Sequence, residues 1–356
     1  VLLSKQDHSI GIYAGGKFLR KHKLFIIRGY LSLRLTFFLN NLAQQFKDSL
    51  RFLRDFSRKI ISNLVFNNSC NPFTVFLYHE ITDKPSRFAS EHHLSVSITR
   101  FEDQIKWISE NFHIIDPAVL NKPYKSEMSS INSREALITF DDGSRSIIKH
   151  AVPILRKYNI RALVFLNGAP VSGNVFWSGL ITYLFTNDHL FRMKMEAKYA
   201  KYSGPSFLYI TPNDISDYSI ESRLNDTNRR VKAYHGEFMS MDEIRQNSDV
   251  LVFGNHLFNH FNAVNIPEEQ LIEQISLNKS FLNDIPESVS SLFSYPFGQP
   301  ETCYNAKTNK IILKTGISQV FYANKGCNKS RLETFIYRVA VTNKFSTGYM
   351  KSLCTK

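Results

Sequence analysis

Beyond residue 72 the chain is punctuated by short apolar runs: TVFLYHE, ALITFDD, ALVFLNG, DVLVFGNH, SLFSYPFG, ISQVFYAN and FIYRVAV. Each is rich in Val, Ile, Leu and Phe with little polar alternation, the pattern of parallel strands buried on both faces. Between them lie stretches with helical spacing. SITRFEDQIKWISEN (97–111) opens on a Ser/Thr cap signal, and PEEQLIEQISLNKSFLND (267–284) repeats apolar positions at Leu271, Ile275 and Leu282 behind two acids. IIKHAVPILRKYN (147–159) contains Pro153, which predicts a kink or a fresh helix start. Strand and helix alternate, so the pattern predicts an α/β architecture built on a parallel sheet or barrel. Residues 170 to about 245 break this rhythm with Trp177, several Tyr and many polar residues, before SMDEIRQ (240–246) starts the next helix. This stretch is expected to be an insertion over one rim, serving either substrate binding or structure alone.

The N-terminal region has a different pattern. LFIIRGYLSLRLTFFLNNL (24–42) is apolar but interrupted by Arg28 and Arg34, which argues against a membrane-spanning helix. Leu42, Phe46, Leu50, Leu53, Phe56, Ile60 and Leu64 then recur at helical spacing, with Lys47, Arg51, Arg54, Arg58 and Lys59 between them. Such a basic amphipathic helix suits a membrane surface as well as it suits packing on its own domain. From Lys17 to Lys59 there are eleven Lys or Arg against two Asp, so most of the net charge of +13 is local. A single basic segment implies an attachment surface, assigned here to residues 17–65. NNSCNPF (67–73) reads as a linker. The expected organisation is thus an N-terminal basic helical extension (1–72), a main domain (73–345) and a short tail (346–356). The first 20 residues lack the order of a signal peptide, which favours a cytoplasmic position or a peripheral one at the inner face of a membrane. Four cysteines without C-x-x-C spacing exclude a zinc ribbon or disulfide framework. No base-stacking or groove-reading motif supports nucleic-acid binding.

Within the main domain, ITFDDGSRS (138–146) ends an apolar strand on two adjacent carboxylates, Asp141 and Asp142. Alone, Asp-Gly after such a run is an ordinary solvated turn. Other strands also end in polar residues, at Tyr78-His79, Asn255-His256 and Phe297-Gly298, and in closed α/β barrels chemistry gathers at the carboxyl ends of strands. In FGNHLFNHF (253–261), His256 and His260 are four apart, and on a turn of helix they would face the same way. Two imidazoles and one carboxylate make a three-ligand site with room left for water. The second aspartate would then remain available as a base.

TFDDG (139–143), GNHLFNH (254–260) and SYPFG (294–298) resemble, in order and spacing, successive motifs of the polysaccharide deacetylase family, carbohydrate esterase family four or the NodB-homology domain. VFLYHEI (75–81) and SVSITRFEDQIKWI (95–108) look like its opening segment, and FIYRVAV (335–341) like its last strand. The resemblance covers roughly residues 73–345. It implies a distorted (β/α) barrel of about seven parallel strands and metal-dependent removal of N-acetyl groups from an amino sugar. By motif, Asp141 would be the general base; Asp142, His256 and His260 the metal ligands; and the Phe297 N–H an oxyanion donor. Tyr295, Pro296 and the insertion's Trp177 are the expected substrate contacts.

Three positions depart from the family pattern. Leu257 replaces the usual Ser or Thr, and Ser294 stands where an arginine often pairs with the base. Arg338 on the last strand could supply that arginine. The late general-acid histidine is missing, since no histidine follows His260, and Tyr78-His79 resembles the subgroup that carries an early histidine instead. His92 and His93 are expected to be solvated. The resemblance therefore implies a deacetylase of a surface polysaccharide or a lipid-linked glycan precursor. N-deformylation of a lipid-linked amino sugar and a catalytically inactive glycan-binding barrel are the alternatives. Zinc is the default divalent metal for an Asp-His-His set.

Overall fold

The structure is a computed structural model in which residues 73–121, 134–202, 204–216 and 224–345 are described. The basic extension, the linker call and the C-terminal tail lie outside these residues. Seven parallel strands form a closed ring: β1 (Phe73–Tyr78), β5 (Glu135–Asp142), β6 (Ala162–Leu166), β7 (Leu251–Asn255), β8 (Ser288–Ser294), β9 (Gln319–Tyr322) and β10 (Phe335–Ala340). Neighbours run β1-β10-β9-β8-β7-β6-β5, and β1 pairs back onto β5 from Phe73↔Glu135 to Tyr78↔Phe140. The ring is the α/β barrel that the seven apolar runs and their helical connections predict. Short strands flank it: β2 (Glu80–Ile81) pairs with β3 (Ser95–Val96), and β4 (His113–Ile114) lies beside the start of β5.

Period-two alternation sorts each strand between two environments. Phe73, Val75, Leu137, Leu163, Phe165, Val252, Leu292, Phe321 and Ile336 form one cluster, the barrel interior. Their sequence neighbours, among them Phe76, Tyr78, Ile138, Phe140, Val164 and Leu166, pack instead with the surrounding helices. On β5 this phase puts Thr139 and Asp141 on the interior side with Leu137, and on β10 it puts Arg338 there with Ile336. One buried layer near the rim is therefore polar.

The helices form where spacing and caps allow. Ile98–Asn111 is capped by the Ser97 hydroxyl and buries Phe101, Ile105 and Ile108 at i, i+4 and i+7. Glu268–Asn283 buries Leu271, Ile275, Asn278 and Leu282. At Pro153 the expected interruption is a π-helical turn, Ile147–Ala151, followed by an α-helix, Val152–Lys157, with the proline in its first turn. Met241–Gln246 starts with a Ser240–Glu243 capping box. The described part of the 170–245 stretch is mostly helical, including Trp177–Asn187, His189–Lys198 and Leu224–His235, between β6 and β7. Among the described residues, no helix is long and apolar enough to cross a membrane.

Candidate active site

The site is built at the carboxyl ends of β5, β7, β8 and β10. β5 delivers Asp141 and Asp142, but the chain turns left-handed at Asp142 (φ 71°) and Gly143 (φ 88°). That break in the pleat separates the two carboxylates. Asp141 stays in the barrel layer, 2% exposed, and meets Arg338, which has no exposed surface. The guanidinium donates from Nη1 to Oδ1 and from Nη2 to Oδ2 of Asp141, both at 2.7 Å. Nη2 also donates to Ser294 Oγ at 2.6 Å, and Nε to the Tyr322 carbonyl at 3.2 Å. Burial pushes the Asp141 carboxyl upward, but the Arg338 and His256 charges outweigh it and hold the group below its ordinary range.

Asp142 faces the two histidines. Its Oδ1 lies 3.4 Å from His256 Nε2 and 3.1 Å from His260 Nε2. Burial raises the Asp142 carboxyl, yet the two imidazoles beside it outweigh that and keep it well below the ordinary value. His256 is 1% exposed and His260 5%.

The H-x-x-x-H segment is not the helical turn that its spacing predicts. Residues 256–262 form an irregular loop, with Leu257 (φ 59°) and His260 (φ 61°) left-handed. Neighbouring polar side chains hold that loop where a helix would hold itself. Asn167 Nδ2 donates to the Leu257 carbonyl at 2.8 Å, Asn255 Oδ1 accepts from Leu257 N at 3.0 Å, and Gln274 Oε1 accepts from Asn259 N at 2.8 Å. The imidazoles still converge, because two left-handed residues re-aim the backbone. Left-handed conformations at such non-glycine residues are uncommon and gather at functional sites.

Each imidazole is also fixed from behind. His256 Nδ1 sits 2.8 Å from the Ser294 carbonyl, so Nδ1 carries a proton and Nε2 is the nitrogen turned toward Asp142. His260 Nδ1 lies 2.6 Å from Ser178 Oγ, and its ring packs between Phe176 and Phe297. Asp142 Oδ1 is buried without a conventional hydrogen-bond donor. One carboxylate oxygen and two imidazole nitrogens, all within 4.8 Å of one another, thus form a donor set that fits a divalent cation.

The other expected residues fall in several environments. His79 is partly buried just beyond β1 and lines a cleft with Asp141 and Asp142. Burial lowers its pKa despite the two nearby carboxylates. Phe297 is left-handed (φ 63°), with its ring 5.0 Å from that of His260.

Tyr295 has no exposed surface. Its hydroxyl lies 3.0 Å from Thr308 Oγ1 and 2.9 Å from Asn309 Oδ1, and its ring stacks with Tyr304 and Tyr322. Pro296 is buried beside it. Trp177 is 8% exposed and packs edge-on against Phe261. The three residues expected to touch substrate thus pack beneath the rim, Tyr295 and Trp177 through their rings and Pro296 beside Tyr295. His93 is exposed as expected. His92 is half-buried against Phe88 and Phe207, which corrects the expectation of a solvated side chain.

Two participants, Ser178 and His235, come from the insertion, and a third is Ser294. Only Ser294 had a sequence signal, as the residue replacing an arginine. Ser178 and His235 sit in no motif, and only folding of the insertion brings them to the rim.

These motifs and this barrel define a class. A family model described as polysaccharide deacetylase matches residues 129–320, and the chain belongs to that family. The Bacillus subtilis (strain 168) protein YxkH, which bears the name of a polysaccharide deacetylase, is 28% identical over 98 residues. That match covers 27% of this chain and 32% of YxkH, so the aligned part spans about a third of that relative. Two solved structures share the fold. The Streptococcus pyogenes deacetylase PplD, in complex with acetate, has a TM-score of 0.52 at 14% identity, covering 80% of this chain and 98% of its own. IcaB from Ammonifex degensii has a TM-score of 0.53 at 17% identity, covering 81% and 98%.

Proposed function

We propose that this chain hydrolyses the N-acetyl group of an amino sugar in a surface polysaccharide or its lipid-linked precursor. The observation that carries the reading is the convergence of Asp142, His256 and His260 on one point beside Asp141, which is itself braced by Arg338. Family membership supports the same class of reaction.

Asp142, His256 and His260 would hold a divalent cation, zinc being the default, and that ion would supply Lewis acidity at the acetyl carbonyl. Asp141, kept ionised by Arg338, is the group suited to take a proton from the attacking water. Ser294 Oγ and Thr139 Oγ1 surround the guanidinium, so the base is held in one orientation. The Phe297 N–H is the donor for the developing oxyanion. His79 gives the proton to the departing amine, since cleavage of an amide needs an acid on the side away from the base. Residues 73–345 form the catalytic unit in this reading. Residues 17–65 supply a basic, apolar surface that docks on an anionic membrane, as a lipid-linked substrate would require.

The test is release of acetate and of formate from a panel of acylated amino-sugar oligomers and glycolipids. Acetate release from at least one is the expected result. Formate alone would establish the deformylase, and binding without release of either would leave a glycan-binding barrel.

A further inference from the structure

The insertion returns to the barrel at one defined place. Helix Leu224–His235 stops at Gly236, whose φ of 82° suits glycine, and the next three residues run antiparallel to the segment that follows the aspartate pair. Arg145 N donates to the Glu237 carbonyl at 2.8 Å, Met239 N donates to the Gly143 carbonyl at 3.0 Å, and Ser144 bridges Phe238. The Arg145 side chain adds ion pairs to Glu237 and Glu243. His235 is thereby tied to the backbone that carries Asp141 and Asp142.

His235 is 8% exposed. Phe176 and Phe238 cover it, and Gly179 approaches so closely that an added Cβ would lie 2.6 Å from Cδ2. Nδ1 sits 2.8 Å from the Gly236 carbonyl, an acceptor, so Nδ1 carries the proton and Nε2 offers a lone pair. Nε2 is buried and has no hydrogen-bond partner. Burial pushes the imidazole down to about 4, so the ring stays neutral at physiological pH. His235 lines the same cleft as His79, Asp141 and Asp142. Buried polar atoms are almost always paired, and an orphan at a functional cleft marks a place that a ligand completes.

We propose that His235 is a substrate-contacting residue, its Nε2 accepting a hydrogen bond from a hydroxyl of the sugar being deacylated. A neutral acceptor selects a donor, which excludes the acetyl carbonyl and any anionic group as its partner. The carbons adjoining an acetamido-bearing ring carbon carry hydroxyl or glycosidic oxygens, and a hydroxyl there is a donor within one ring position of the scissile amide. The assignment rests on the N-deacetylase reading and gives the insertion a role in substrate selection.

The experiment compares the full-length wild type with His235→Ala and His235→Gln, whose amide oxygen can still accept. Acetate release is measured on an N-acetylglucosamine oligomer and on its 3-deoxy counterpart, alongside bound metal and melting temperature. On the oligomer, His235→Ala should raise KM about tenfold, the order of one lost hydrogen bond to a buried acceptor, with metal content unchanged. His235→Gln should recover most of that loss. The 3-deoxy substrate should bind the wild type weakly and lose nothing further in His235→Ala. An unchanged KM, or equal losses on both substrates, would overturn the proposal while wild-type acetate release left the N-deacetylase reading standing. If the wild type releases no acetate, that reading fails separately. Calorimetric binding of the same oligomer then decides His235: weaker binding in His235→Ala supports the contact, and equal or absent binding overturns it.

Discussion

Asp141 and Arg338 form a fully buried ion pair with two parallel hydrogen bonds, the geometry in which arginine is least replaceable by lysine. Removing one partner of such a pair strands the other's charge, at a cost of about 3–5 kcal/mol. Arg338→Met should therefore lower the melting temperature markedly and, by freeing the base from its orientation, slow turnover as well. Arg338→Lys should recover part of the stability and little of the rate, as thermal melts and initial rates together would show. Asp141→Asn tests the other half. It should keep bound metal, because the proposed ligands are Asp142, His256 and His260, yet lose roughly a hundredfold or more in turnover. Loss of metal in Asp141→Asn would mean that the two aspartates have exchanged roles. Much of this was legible in the residues themselves: two acids after an apolar strand, two histidines after another, and an arginine on the last. For Tyr295 and Trp177 the sequence could not separate contact from packing, because a tyrosine or tryptophan carries the same letter whether it stacks in a core or under a sugar. For Tyr295, the hydroxyl partners decide.

The insertion supplies a second layer to the site. Ser178, on helix Trp177–Asn187, reaches His260 Nδ1, and groups that orient a ligating imidazole typically affect metal affinity by 10–100-fold. Ser178→Ala should weaken metal binding by that order in a chelator competition, short of the complete loss expected for His260→Ala. The insertion is held together partly by Asp214, which accepts from the Tyr199 hydroxyl at 2.6 Å, from Thr211 N at 2.8 Å, and pairs with Lys198. Burial raises the Asp214 carboxyl, but these donors outweigh it and depress the pKa. The unfolded chain then binds the proton more readily, so this stabilisation is present above the ordinary carboxylate value near 4 and disappears as pH falls through the folded value. Melting curves should show wild type above Asp214→Asn at neutral pH, with the gap closing in acid. Helix starts at Ser97 and Ser240 were readable from capping signals. The irregular loop at His256–His260 was not, because its shape depends on Asn167 and Gln274, which lie outside the motif, and on the Asn255 side chain folding back onto Leu257 N.

At the scale of the molecule, the barrel could be read from seven apolar runs because each strand is buried on both faces and leaves a continuous signature. The closure of β1 onto β5 could not, since pairing partners 62 residues apart, as in Tyr78↔Phe140, carry no local mark. The basic extension makes its own prediction. The full chain should bind anionic vesicles, weaken as salt rises, and lose binding when Arg51, Arg54 and Arg58 are changed to Glu. Vesicle sedimentation that does not distinguish the two proteins would remove the membrane role. The central claim is that Asp142, His256 and His260 hold the ion on which amide hydrolysis depends. Its most direct measurement titrates zinc into chelated protein while following acetate release from an N-acetylglucosamine oligomer. Activity should rise in proportion to filled sites, reach its plateau at one ion per chain, and be absent from His256→Ala at the same zinc. Full activity in the chelated protein, or in His256→Ala, would contradict the account.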